Sequence, residues 1–438
     1  MALIPVIGAG EISSRFYNGV ATQSLRLDSP ASKSLNRTIT TGNRRLFTYS
    51  FWFKVTKLGS KFLLSKGENV SYADISKIQI NSSDQLVLQE IVNDSASFNL
   101  VTTRVFRDTS AWYNVVIAFD TAQGTSTNRV KVYINGVQET SFGTASYPSQ
   151  NYDAIFTFNQ SSSSVLQIGA YSADTNDAAE HWDGYLSDIT HIDGTALDAS
   201  SFGELKNGVW IPINTSGLTF GDEGYLLKFD KGGVGTAGTL TIGADTSGNN
   251  NHFTSVNIVE SDCNMPDCPE NNFCTWNPLY NQTVTATNTY AVGNLQGTTG
   301  STGGGNITGS FAIPSEGKWY FEMRPTAMGN GVFIGLWDAN DNVAAAFAFQ
   351  SSGNSYILYQ SYSGGLRIAQ TSPSYGATFS ASDTIGVAVD IDGGTVTYYK
   401  NNASQGATSF DATGLFPVIC DWYDSTGITV RANFGQDS

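Results

Sequence analysis

One β-hairpin is written twice in this chain. Asn114-Val-Val-Ile-Ala-Phe-Asp120 runs through a polar loop into Arg129-Val-Lys-Val-Tyr-Ile-Asn-Gly136. Far downstream, Thr384-Ile-Gly-Val-Ala-Val-Asp390 runs through Ile391-Asp-Gly-Gly394 into Thr395-Val-Thr-Tyr-Tyr-Lys-Asn-Asn402. Laid over one another, Val115, Ile117 and Phe119 fall on Ile385, Val387 and Val389, Asp120 falls on Asp390, and Asn135 falls on Asn401. A period of two puts one apolar row on a single face of a pleated strand, and turns rich in Gly, Asn and Asp reverse the chain. Two such hairpins so far apart predict two sheet-built domains, each with its own core.

Length and composition agree with that division. At 438 residues the chain exceeds one ordinary core, and domains of roughly 100 to 200 residues allow two or three. With 45 Gly, 20 Tyr and 25 Phe, and no amphipathic run of helical period beyond about two turns, the reading is all-β with short helical connectors. The formal charge of -15, from 38 acidic and 23 basic residues, repels phosphate-rich partners, so nucleic acid is excluded as an expected ligand. No apolar run approaches the ~20 residues needed to cross a bilayer, so no membrane insertion is expected. The N-terminus has no positive flank before its apolar stretch, which predicts a protein made in a cytoplasm and not exported as a secreted one.

Along the chain, residues 1–24 carry little strand signal and read as a leading arm. Residues 25–205 hold the first set of strands, including Thr48-Tyr-Ser-Phe-Trp-Phe-Lys-Val55, and end in a short helical turn near Asp198. In that strand Tyr49, Phe51, Phe53 and Val55 share a core face, while Ser50, Trp52 and Lys54 are expected to face water. Residues 206–280 change to Gly, Asn, Asp and Pro and read as an ordered connector. Residues 281–438 hold the second set, with Gly297 to Gly305 as a mobile loop. Cys263, Cys268 and Cys274 lie close together at spacings unlike a zinc ribbon, and two of them could form a disulfide or all could be buried thiols. Cys420 falls in a predicted core strand.

These residues resemble known families. Phe51-Trp52-Phe53, Val132-Tyr-Ile-Asn-Gly136, Ile168-Gly169 and Asp183-Gly-Tyr-Leu-Ser-Asp188 look like a laminin-G or concanavalin A-like jelly roll. Gly317-Lys-Trp-Tyr-Phe-Glu322, Ile334-Gly335, Asp383-Thr-Ile-Gly386, Asp390, Asn401 and Asn433-Phe-Gly435 resemble the SPRY domain. The stretches Asp245-Thr-Ser-Gly-Asn249 and Asn271-Asn-Phe-Cys-Thr-Trp-Asn-Pro278 look like the linker joining such domains in virion proteins of tailed bacteriophages. The resemblance implies two concanavalin A-like antiparallel β-sandwiches, with the arm at 1–24 as a virion anchor.

Catalytic signatures are missing from the sequence. Glycoside hydrolysis on such a sandwich needs adjacent carboxylates on one strand face, and the closest pair, Asp390 and Asp392, more simply caps the Gly393-Gly394 turn. No nucleophile elbow or phosphate-binding glycine loop occurs. His181, His191 and His252 make no metal-spaced set and read as surface or loop histidines.

Carbohydrate recognition needs aromatic faces and planar polar side chains, which three loops offer. Their candidate residues are Tyr171, Asp174, Asp177, Glu180, His181 and Trp182; Trp337 and Asp338; and Trp422, Tyr423 and Asp424. The bland alternative is that the rings cap the cores. No cofactor is expected, although Asp174, Asp177 and Glu180 could hold a Ca2+.

The expectation is therefore a non-enzymatic phage virion appendage, a fibre, knob or decoration, that contacts host-surface glycans. Its other partners would be virion proteins of capsid or tail, its location the virion, and its oligomeric state that of such appendages, commonly a homotrimer. The alternatives are a purely structural decoration, a polysaccharide-degrading enzyme and a bacterial surface adhesin.

Overall fold

The computed structural model describes residues 16–28, 32–40, 42–68, 71–157, 164–171, 181–280, 287–300, 305–328, 331–339, 355–369, 371–421 and 427–436. They fall into two compact units that divide between Asn271 and Asn272. Each unit is an antiparallel β-sandwich, as the alternating apolar rows predict. No helix among the described residues is long and apolar enough to cross a membrane.

In the first unit one sheet runs in the order Leu25–Leu27, Gly184–Asp193, Leu46–Val55, Tyr113–Asp120, Val130–Ile134 and Val137–Glu139. The facing sheet runs Phe142–Ser146, Ser95–Val105, Gln85–Val92, Ser71–Ile80, Lys61–Glu68, Ser164–Ile168, Ser34–Arg37 and Thr254–Val256. Phe47, Tyr49, Phe51 and Phe53 alternate inward from their strand and meet Val115, Ile117 and Phe119 of the first hairpin in one core. Phe47 stacks on Phe119 at 4.5 Å. Each such ring contributes on the order of 2–3 kcal/mol by leaving water. The helical turn expected near Asp198 forms at Ala199–Ser201, where Asp198 accepts the Ser200 amide.

The opposite face of Leu46–Val55 is not wet. Ser50, Trp52 and Lys54 are all buried, because the tract beyond residue 194 folds back over them. Ile192, Ala199, Phe202, Phe220 and Leu226 pack on Val116, while Trp52, Trp112, Tyr185 and Met265 make a second cover. Lys54, with no exposed surface, meets the equally buried Asp267 at 2.9 Å.

The residues 206–271 therefore do not form a connector, and the boundary falls at 271/272 rather than at 205/206 and 280/281. Tyr225–Leu227 pairs with Gly184–Asp193, and Thr254–Val256 pairs with Ser34–Arg37, so this tract adds a strand to both sheets. The Asp245 motif supplies the turn between them. Its carboxylate accepts from the amides of Leu226, Ser247 and Asn251 at 2.8–2.9 Å. The described end of the arm is also tied down: Glu270 accepts the amides of Gly19, Val20 and Ala21, and Ser24 bridges to Met265.

In the second unit one sheet runs Thr289–Ala291, Gln296–Thr298, Thr429–Asn433, Lys318–Ala327, Ile385–Asp390, Thr395–Lys400 and Ala403–Ser409. The other runs Asn306–Thr308, Phe416–Asp421, Val332–Trp337, Tyr356–Gln360 and Leu366–Ile368. Ile385, Val387, Val389, Val396 and Tyr398 of the second hairpin line its core with Phe321, Ile334 and Phe434. Part of the expected loop at 297–305 is strand, since Gln296–Thr298 pairs with Thr429–Asn433; residues 301–304 lie outside the described residues. Trp276 is buried in this core, which places the end of the supposed connector inside the second unit.

Candidate functional site

The loop aromatics proposed from sequence are packing residues wherever the structure describes them. Tyr171 is buried against Phe62 at 4.5 Å. His181 is buried, and Trp182 has no exposed surface, meeting Phe53 edge-on at 5.5 Å. Trp337 is buried beside Tyr280 and donates from Nε1 to Thr308 Oγ1 at 3.2 Å. A ring enclosed this way offers no face to a sugar. Asp338, half-buried, donates its amide to the Ser355 carbonyl at 2.8 Å. Asp174, Asp177, Glu180, Trp422, Tyr423 and Asp424 lie outside the described residues.

Other candidates also take structural places. His191 is not at the surface: it is buried in its strand and stacked on Tyr49 at 4.4 Å. His252 accepts the Asp245 amide through Nδ1. Asp390 caps the Gly393 amide at 2.8 Å and pairs with Lys318, while Asp392 accepts the Gly317 amide at 3.0 Å. The hydrogen bond from Lys318, then that from Gly393, holds the Asp390 carboxyl below its ordinary range. All four cysteines are free and buried. Burial pushes the Cys263 and Cys268 thiols up to about 12. Among the described residues no three His, Cys, Asp or Glu side chains gather as a metal site.

Each hairpin carries an open pocket on its outer face. In the first unit Ala118 and Asp120 project from one strand and Lys131 and Tyr133 from its partner, paired Ala118 to Lys131 and Val116 to Tyr133. With Gln123, Asn128 and Asp198 they line a polar pocket of about 320 Å3. Its turn is held by Arg129, which donates to the carbonyls of Gln123, Gly124 and Pro148 at 2.9 Å each. Asp120 accepts from Gln123 Nε2 at 2.6 Å and from the Ala122 amide. The far wall is the 196–198 segment, which Thr48 fixes by donating to the Thr195 carbonyl and accepting the Leu197 amide, both at 2.8 Å. Burial, then Asp198, raises the Tyr133 hydroxyl above its ordinary value, so it stays a donor.

In the second unit Lys318, Trp319 and Tyr320 wall a pocket of about 360 Å3 floored by Ala388 and completed by Asp390, Thr395, Thr397 and Tyr399. Tyr320 and Tyr399 meet edge-on at 6.4 Å, and Tyr320 donates to Glu322 at 2.8 Å. Burial, then the Glu322 hydrogen bond, raises the Tyr320 hydroxyl. Gly386 makes room for that ring, since a Cβ there would stand 2.3 Å from the Tyr320 oxygen. Trp319 Nε1 donates to the Glu316 carbonyl. Such a pocket combines ring faces with hydroxyl, carboxylate and ammonium groups, and binds small polar ligands with apolar C–H patches. Sequence reasoning missed Tyr133, Tyr320 and Tyr399. The available signal was an outward aromatic in strands whose other face is the core.

Residues 28–200 match the family model of the concanavalin A-like lectin/glucanases superfamily, and residues 318–437 match that of the SPRY domain. The chain thus carries an N-terminal laminin-G-like, concanavalin A-like domain and a C-terminal SPRY domain. Similar solved structures include the SPRY domain of human HERC1, at 20% identity and a TM-score of 0.30, covering 36% of this chain and 96% of that one. A second human SPRY domain is 16% identical with a TM-score of 0.28, over 34% and 98%. The heptameric SAP-like pentraxin of Limulus polyphemus is 21% identical with a TM-score of 0.29, over 40% and 76%. No curated protein matches the chain.

Proposed function

We propose that this chain is a non-enzymatic virion appendage of a tailed bacteriophage, a fibre, knob or decoration, whose two sandwiches contact host-surface glycans. The observation that carries the glycan reading is that each unit presents, on the outer face of a hairpin, a pocket combining a tyrosine with hydroxyl and charged groups. Aromatic faces cover sugar C–H groups, and the polar groups hydrogen-bond vicinal hydroxyls. The turn roles of Asp390 and Asp392 favour binding over hydrolysis. The virion address rests on the domain order and on the phage-like sequence of the tract at 245–278.

A second reading, a structural decoration touching other virion proteins, is favoured by one surface. Val137, Leu205 and Val209 are 65%, 69% and 45% exposed beside Trp210, which packs against Gly136 and Gly203. Exposed apolar groups of this kind suit a protein neighbour. Immunogold labelling of phage particles, joined with competition of phage adsorption by the purified full chain, separates the readings. Labelled particles and blocked adsorption support the appendage. Labelled particles with unaltered adsorption support the structural role, and unlabelled particles overturn both.

A further inference from the structure

The two pockets occupy the same place on the twice-written hairpin. In the first unit Thr48, Ala118 and Lys131 lie in one cross-strand row, and Ser50, Val116 and Tyr133 in the next. In the second, Tyr320, Ala388 and Thr397 make one row, and Glu322, Gly386 and Tyr399 the next. Ala118 thus corresponds to Ala388, Asp120 to Asp390, Lys131 to Thr397 and Tyr133 to Tyr399. The repeat extends beyond the inward core rows to the outward residues that line both cavities.

One wall differs, and the difference is compensated. Where the second unit has Tyr320, the first has Thr48, whose hydroxyl binds Thr195 and Leu197 and draws the 196–198 segment over the sheet. Leu197 and Asp198 line the first pocket, as Tyr320 lines the second, and the volumes stay close, about 320 and 360 Å3. A cavity kept by two unlike walls around the same alanine, aspartate and tyrosine points to a shared ligand.

We infer that both pockets are saccharide sites of one chemical class, each taking a neutral hexose unit, so that a single chain is bivalent. This rests on the glycan-binding reading above. The hydroxyls of Tyr133, Thr395, Thr397 and Tyr399 have no hydrogen-bond partner among the described residues and are available to sugar hydroxyls. Lys318 is neutralised by Asp390, and Lys131 is outnumbered by Asp120 and Asp198. These linings disfavour phosphorylated, sulfated or sialylated sugars. The volumes sit at the lower end of the roughly 300–1,000 Å3 of ligand pockets, which suits one or two sugar rings. Two linked sites raise avidity for a repeating polysaccharide by roughly 10²–10⁴ over one when geometry allows both to engage.

The test is isothermal titration of the full chain with neutral trisaccharides of glucose, galactose and mannose, and with a sialylated trisaccharide. The expected result is a neutral sugar bound at two per chain. Tyr133→Ala and Tyr399→Ala should each lower the stoichiometry to one, and the double variant should abolish binding. Ala118→Leu and Ala388→Leu, which fill the two floors and remove no packing, should do the same with the melting temperature retained. Binding that none of these variants alters overturns the site assignment and leaves the glycan reading standing. A site lost with only one of the two tyrosine variants, the other still binding two per chain, overturns the equivalence, and tighter sialylated binding overturns the ligand class. No binding to any sugar overturns both the inference and the glycan reading beneath it.

Discussion

Asn135 and Asn401 do the same work in two different sandwiches. Each has φ of 48° in the left-handed region at the end of its hairpin. Each side-chain oxygen accepts the amide that opens the partner strand, Asn114 at 2.8 Å and Thr384 at 2.9 Å. Each returns its own amide to that residue's carbonyl, at 2.9 and 2.8 Å. Asparagine tolerates this backbone better than other side-chain-bearing residues because its short amide bonds locally. The hairpin register, and with it both the core row and the outer pocket, is closed by this lock.

Asn135→Ala and Asn401→Ala should each destabilise their unit by about 2 kcal/mol, combining a lost hydrogen bond with left-handed strain. Asn→Gly at either site should cost about half as much, since only the bond is lost. Urea unfolding of the full chain measures this. An alanine variant as stable as the parent would contradict the lock.

Lys54 and Asp267 form an ion pair with no exposed surface, and Asp267 also accepts Trp112 Nε1 at 3.0 Å. Removing one partner leaves a buried charge, so Asp267→Ala should cost about 3–5 kcal/mol. The joint Lys54→Met, Asp267→Leu variant should recover much of that loss. If Asp267→Ala melts like the parent, the tract at 206–271 is not an integral layer of the first unit.

Two buried groups of one strand oppose each other in pH. Burial pushes His191 down to about 3 from 6.5, so its stabilising contribution is present above about pH 6.5 and is lost as pH falls towards 3. Burial raises Asp188 to about 7 from 3.8, so its contribution is present below about pH 3.8 and is lost as pH rises towards 7. Between pH 4 and 6.5 the native state holds one proton fewer at His191 and one more at Asp188 than the unfolded chain. Relative to the parent, Asp188→Asn should therefore gain stability with rising pH in this window, and His191→Gln should lose it. Each slope approaches about 1.4 kcal/mol per pH unit. Relative slopes of the same sign would refute the assignment.

The four cysteines should be silent in the native state. Burial raises the Cys263 and Cys268 thiols to about 12 and pushes Cys420 higher still, so thiolate is scarce at neutral pH. A disulfide-exchange reagent should find no fast thiol in the folded chain and four in denaturant. Fewer than four in denaturant would indicate a disulfide.

The fold was legible where physics is local. Alternation at Val115, Ile117 and Phe119, and at Ile385, Val387 and Val389, marked the core rows because burial of one strand face is printed residue by residue. Lys54 was not legible, since its burial depends on Asp267, which the chain places beside it only after a long excursion. The same limit misdirected the site. Trp182 and Trp337 stand among loop-forming polar residues, and nothing local says that the rings turn into the cores. Tyr133 and Tyr399 were hidden for the converse reason, as outward residues in segments noticed for their inward ones.

Whether this chain is a glycan-contacting appendage is decided by binding of the labelled full chain to host cells before and after mild periodate, which cleaves vicinal diols. Saturable binding that falls at least tenfold after oxidation is the expected result. Binding unchanged by periodate, or no binding to untreated cells, would contradict it.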